Sequence, residues 1–174
     1  MRAAFEKLEE MVSRGKIRTY GAATWNAFRV GDDAREAISL SRLVELATEV
    51  GGKDHHFRSI QLPLNLRMCE AILARNQSLN GDRVSLLEAA EKFGLTVFAS
   101  ASILQGQLSR SQPPEAQEWF PGLRTNAQRA IQFTRSVPGV GCALVGMSRI
   151  EHLEENLETA RTPPLSREEM GKLF

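Results

Sequence analysis

Gly139-Val140-Gly141-Cys142-Ala143-Leu144-Val145-Gly146-Met147-Ser148-Arg149-Ile150-Glu151-His152-Leu153-Glu154-Glu155-Asn156 is the stretch on which the reading of the fold turns. Cys142 to Val145 is a short apolar run between glycines, the pattern of a strand buried on both faces. Gly146 ends it. Ser148 and Glu151 have the spacing of a capping box, serine at the N-cap and glutamate three residues on, so a helix is predicted through Leu153 and Leu157. A buried strand, a glycine turn and a helix start bring free N–H groups and the positive end of the helix dipole together, which suits an anion. The same features describe the commoner case of an ordinary strand–helix junction, whose open donors bind only water.

Composition narrows the classes. A chain of 174 residues is long enough for one domain with a substantial core, and residues 1–174 read as a single domain. Twenty-two Lys and Arg nearly balance twenty-one Asp and Glu, which argues against nucleic acid or an anionic membrane as partner. Cys69 and Cys142 lie far apart among apolar neighbours, as reduced buried thiols of a cytoplasmic protein do. No apolar run approaches the ~18–20 residues that span a bilayer, and no signal segment opens the chain.

Outward from the quoted stretch, the pattern repeats. Residues 3–14 form an amphipathic helix, with Phe5, Leu8, Met11 and Val12 on one face and Gly15 as its stop. A strand follows at 17–22, and 21–26 turns away from its end. A helix is predicted at 36–50, a strand at 57–64 and a short helix at 68–73, then a polar, mobile loop at 76–82. Next come a helix at 84–93, a strand at 95–99, a loop at 100–106 and an irregular excursion at 107–125. A helix at 127–136 returns to the opening strand at 142–145. The helix at 149–160 and a short one capped by Ser166 close the chain. Strands about 35–45 residues apart, each followed by a helix, call for a parallel sheet with right-handed crossovers. The fold class is therefore α/β, a parallel (βα)4 half of a TIM-type barrel.

Four phrases, in this order, resemble the aldo-keto reductases. They are residues 5–18 (Phe-Glu-Lys-Leu-Glu-Glu-Met-Val-Ser-Arg-Gly-Lys-Ile-Arg), Ile60-Gln61-Leu62-Pro63-Leu64-Asn65-Leu66, Gly94-Leu95-Thr96-Val97-Phe98-Ala99 with its loop to Gly106, and Gly146 to Asn156. The resemblance covers nearly the whole chain. It implies strands five to eight of an NADP(H)-dependent (βα)8 carbonyl reductase, without the catalytic Asp, Tyr, Lys and His of the first four strands. No catalytic residue and no metal site are read here. Tyr20, the single tyrosine, reads as packing, and His55 and His56 as a solvated loop.

The resemblance also implies a cofactor-binding set: Gln61, Ser102, Gly106, Gly146, Ser148, Arg149, His152, Glu155 and Asn156. Gln61 matches the glutamine that contacts the nicotinamide amide, and an amide can both donate to and accept from a carboxamide. Gly106 matches the pyrophosphate loop, and Gly146, Ser148, Glu155 and Asn156 match the adenosine-phosphate region. Arg149 offers positive charge to a 2′-phosphate. The family's Ser-Asn clamp falls on Ala23-Thr24, its stacking aromatic on Ser100 and its Ser-Pro-Leu on Ala101-Ser102-Ile103. NADP(H) binding is therefore expected to be weak or vestigial, held by the adenosine end. The chain reads as a truncated half barrel inactive by itself. The alternatives are the cofactor-binding part of an oxidoreductase whose N-terminal half lies elsewhere, and a purely structural module.

Assembly follows from the strand count. The first and last strands are expected at opposite sheet edges, and Ile17, Ile60, Leu62, Val97 and Leu144 on an inward face left open to solvent. Open edges and an apolar face favour association, so a homodimer closing an eight-stranded barrel is expected, or else a missing N-terminal half barrel.

Overall fold

In strand β2 (Phe57–Pro63) Ile60 and Leu62 are fully buried, whereas Ser59 and Gln61 between them are half-exposed. Strand β5 (Thr96–Ser100) repeats the alternation, with Val97 and Ala99 buried and Phe98 and Ser100 half-exposed. One side of each strand thus faces the core, and the other carries polar residues and, on β5, Phe98. The computed structural model describes all of Met1 to Phe174. It corrects the expected inward face: Ile60, Leu62 and Val97 are in the core, and the open side is Ser59, Gln61, Phe98 and Ser100. Period-two alternation separates two faces but does not say which one the helices cover. Ile17 and Leu144 lie outside the strands altogether.

Strands β1 (Tyr20–Ala23), β2, β5 and β6 (Val140–Ala143) form one parallel four-stranded sheet in the order β1-β2-β5-β6, so β1 and β6 are its edges, as expected. The register runs Ala22↔Ile60 and Ala23↔Gln61 after an irregularity between Tyr20 and Gly21. Only glycine fits there, because a Cβ on Gly21 would stand 2.3 Å from the Ser59 carbonyl oxygen.

One compact unit comprises Met1–Leu62 and Glu70–Val97. Helix α1 (Arg2–Ser13) packs Phe5 edge-on to Tyr20, with ring centroids 5.4 Å apart, and 5.6 Å from Phe57. Tyr20 is core packing, as read, but His55 and His56 are not a solvated loop: His55 is buried, and the His56 Nδ1 lies 2.8 Å from Glu9. Helix α2 (Leu40–Gly51) is capped by the Ser39 hydroxyl, and its first N–H donates to Gln77 Oε1 at 2.8 Å. After α3 (Glu70–Leu73), the expected mobile loop is instead a hairpin, β3 (Gln77–Leu79) and β4 (Asp82–Val84). Asn80 and Gly81 both take positive φ, the geometry a two-residue hairpin turn requires. Asn76 Nδ2 fastens the approach to the hairpin by donating to the Phe28 and Val30 carbonyls at 3.0 and 2.8 Å. Helix α4 (Leu86–Lys92) follows with a complete capping box from Ser85 and Glu88.

The second unit comprises Pro63–Cys69 and Phe98–Phe174. The excursion expected to be irregular contains a 3₁₀ turn at Leu104–Gly106, α5 (Gln107–Arg110) and α6 (Ala116–Trp119). Helix α7 (Asn126–Ser136) starts from a Thr125–Gln128 capping box, and α9 (Arg167–Gly171) from the expected Ser166–Glu169 box. Helix α8 (Ile150–Thr159) has Arg149 as N-cap and no side-chain cap bond, so the Ser148–Glu151 box does not form. The helix starts one residue later than the motif implies, which moves Ser148 outside the cap and Glu151 off the reciprocal position. Cys69 and Cys142 form no disulfide, and both are half-buried. No helix is long and apolar enough to cross a membrane.

Candidate functional site

The loop leaving β5 carries unusual backbone. Ala101, Leu104 and Gln105 sit at φ of 54°, 47° and 51°, and Gly106 at 81°. Left-handed conformations cost non-glycine residues of order 1–3 kcal/mol each and persist where surrounding structure imposes them. Here the restraints are visible. Buried Asn65 donates from Nδ2 to the Ala101 carbonyl at 2.9 Å, and the buried Ser102 hydroxyl lies 3.0 Å from the Leu144 carbonyl and 3.2 Å from that of Ala99. The loop is thereby tied to the chain beyond β6.

Next to it lies a cavity of about 370 Å3 whose walls include Gly106, Ser109, Arg110, Thr125, Gly146, His152, Glu155 and Asn156. Gly106, Gly146, His152, Glu155 and Asn156 of the expected set thus share one wall system. Gly106 is required by its φ. Gly146 has an ordinary φ and open space for 4 Å around the point where a Cβ would stand, so the fold itself would accept alanine there.

The polar groups are arranged unequally. Glu155 accepts a hydrogen bond from the Thr125 hydroxyl, and its carbonyl accepts from Gln128 Nε2 at 2.9 Å, which fixes α8 to the start of α7. The Asn156 Oδ1 is buried without a partner, an uncompensated acceptor of the kind that a ligand donor satisfies. Arg110 lines the cavity and makes no ion pair. Arg149, by contrast, has a side chain 70% exposed, stands 3.8 Å from Glu151 and is not part of the cavity wall. Ser148 is likewise exposed and outside the wall, and Ser102 spends its hydroxyl on backbone carbonyls. Gln61, half-exposed on β2, belongs to the other compact unit.

Sequence reasoning missed Arg110 and Thr125. Thr125-x-x-Gln128 was legible as a capping box, which places its hydroxyl at a helix start. Arg110 had only its position four residues after Gly106 to signal it. No group of three or more His, Cys, Asp or Glu is arranged to hold a metal ion.

No family model and no curated protein sequence matches the chain. Solved structures do. The chain has the fold of half an aldo-keto reductase barrel. A thermostable aldo-keto reductase crystallised with the inhibitor epalrestat superposes with a TM-score of 0.66 at 20% identity, covering 99% of this chain and 53% of that one. The holo form of an aldo-keto reductase from Bacillus halodurans gives 0.60 at 21% identity, over 96% of this chain and 52% of its own. A protein assigned as a 2,5-diketo-D-gluconic acid reductase B gives 0.65 at 18% identity, over 99% and 50%. At these identities the likeness is one of fold. The half barrel spans about half the length of the structures it matches.

Proposed function

We propose that this half barrel binds NADP(H) through the adenosine phosphates, at the cavity between the β5 loop, the start of α7 and α8, and that it reduces no carbonyl by itself. One observation carries the reading: five residues assigned to the cofactor from sequence line a single cavity. The cavity's chemistry fits the group. Arg110 is an unpaired cation suited to a phosphate, and the Asn156 Oδ1 is an unsatisfied acceptor suited to an adenine amino group. When bound, NADPH supplies a hydride; the chain's own residues here bind and orient, and none is placed as a proton donor to a carbonyl. Loss of the stacking ring at Ser100 and of the amide clamp at Ala23-Thr24 leaves the nicotinamide end with little hold. Two cysteines outside any disulfide suit a reducing, cytoplasmic setting.

Fluorescence of Trp25 and Trp119 followed during titration with NADP+ and NADPH tests this. The two redox states are expected to bind alike, and Arg110→Ala to weaken NADP+ by about tenfold, ~1.4 kcal/mol, with a smaller effect on NAD+. Arg149→Ala is expected to do little. The opposite ranking of the two arginines would return the phosphate role to Arg149, and no binding by any of these nucleotides would remove the reading. Sustained NADPH oxidation with simple aldehydes would show a catalytic group in the chain.

A further inference from the structure

A second cavity of about 370 Å3 lies among α7, α8 and strand β6, wholly inside the second compact unit. Thr159, the last residue of α8, lines it; the residue is 1% exposed, and its hydroxyl has no hydrogen-bond partner. A helical threonine ordinarily turns its hydroxyl to the carbonyl four residues back. Here that carbonyl belongs to Glu155 and accepts from Gln128 Nε2, so the Thr159 hydroxyl is an unused donor at the cavity wall. A buried polar group in that state is what a ligand atom satisfies. Asn156 lines both this cavity and the first, and its oxygen is assigned to the nucleotide.

The wall holds one cation, Arg135, and no carboxylate. Arg135 is half-buried and makes no ion pair. Its Nη1 donates to the Thr159 and Thr162 carbonyls at 2.6 and 3.1 Å and to Gln132 Oε1 at 3.2 Å, which anchors the guanidinium plane. Nε and Nη2, its other edge, carry no hydrogen bond. An anchored guanidinium with one edge unused is a preset fork for the two oxygens of a carboxylate. Charge selects the same ligand: one cation balances a monocarboxylate, whereas a dianion would leave an uncompensated charge out of water. Ile131, Val140, Ala143 and Pro164 supply apolar wall beside these polar groups, in a volume within the range of small-ligand sites.

We propose that this cavity binds a small monocarboxylate with an apolar body, its carboxylate on Arg135 Nε and Nη2 and the Thr159 hydroxyl, its body against Ile131, Val140 and Pro164. Asn156 apart, its walls share no residue with the nucleotide cavity, so the inference does not depend on NADP(H) binding.

Calorimetric titration of the full chain with benzoate, benzamide and inorganic phosphate tests it, with NMR amide shifts to locate the site. Benzoate is expected to bind and to move the amides of Val140–Ala143. Benzamide, of the same shape without the charge, is expected to bind about tenfold more weakly or less, and phosphate likewise. Thr159→Val keeps the side-chain shape and removes an unsatisfied hydroxyl, so melting is expected to stay or rise while benzoate binding weakens about fivefold. Arg135→Lys keeps the charge without the fork and is expected to weaken benzoate about tenfold. No benzoate binding up to about 10 mM would overturn the proposal. Benzamide or phosphate binding as tightly as benzoate would overturn it as well, as would benzoate binding that leaves Val140–Ala143 unmoved or is indifferent to Thr159→Val.

Discussion

Glu9 joins three elements through one carboxylate. Its Oε1 accepts the Tyr20 hydroxyl and the His56 N–H, each at 2.8 Å, and its Oε2 faces the His56 ring at 2.8 Å. Burial alone would raise its pKa, but the hydrogen bonds from His56 and Tyr20 outweigh it and hold the carboxyl below its ordinary 4.5. Burial, reinforced by Glu9, pushes the Tyr20 hydroxyl well above its usual range. Neighbouring His55 is pushed below 6.5 by burial and then by Arg58. The unfolded chain therefore takes up a proton at His55 that the folded chain refuses. That contribution to stability is complete above 6.5 and is lost as pH falls from 6.5 through the lowered folded value; Glu9 adds a second loss below 4.5. Melting temperature is expected to fall between about pH 7 and about pH 5.5, and His55→Gln to flatten that slope. Identical slopes for the two proteins would show that His55 does not carry the pH dependence.

At the scale of elements, two serines with the same motif part company. Ser85 accepts from the Glu88 N–H at 3.2 Å while Glu88 Oε2 accepts from the Ser85 N–H at 2.7 Å, a complete box at the start of α4. Ser148 makes none of this at α8. Urea unfolding is expected to show Ser85→Ala costing about 1 kcal/mol, and Ser148→Ala within about 0.5 kcal/mol of the parent; equal losses would mean that Ser148 caps α8 after all. The contrast shows what sequence could tell. The βα order, the two edge strands and the α9 box were legible because apolar runs, glycine stops and caps are local signals. The side of β2 that meets the core was not, since Ile60 and Gln61 exchange roles with a one-residue change of register. The hairpin over 77–84 was hidden by its polarity, although Asn80-Gly81 is the strongest short hairpin signal. In the site, Gly106, Gly146, His152, Glu155 and Asn156 converge because a turn and the first turns of α8 carry most of them. Arg149 does not, since a shift of one residue at a helix start rotates a side chain by about 100°.

For the whole molecule, the proposed binding mode assigns the adenosine phosphates to the cavity with its unpaired Arg110 and unsatisfied Asn156 oxygen, and expects no hold on the nicotinamide, for which Ser100 and Ala23-Thr24 offer neither ring nor amide clamp. Calorimetric titration with 2′,5′-ADP, which carries the adenosine phosphates alone, compared with NADP+, divides these ends most directly. The two affinities are expected to lie within roughly a factor of ten of each other, a difference of no more than ~1.4 kcal/mol. NADP+ binding more than about a hundredfold tighter than 2′,5′-ADP would mean that the nicotinamide supplies ~2.7 kcal/mol or more, and would contradict binding through the adenosine end.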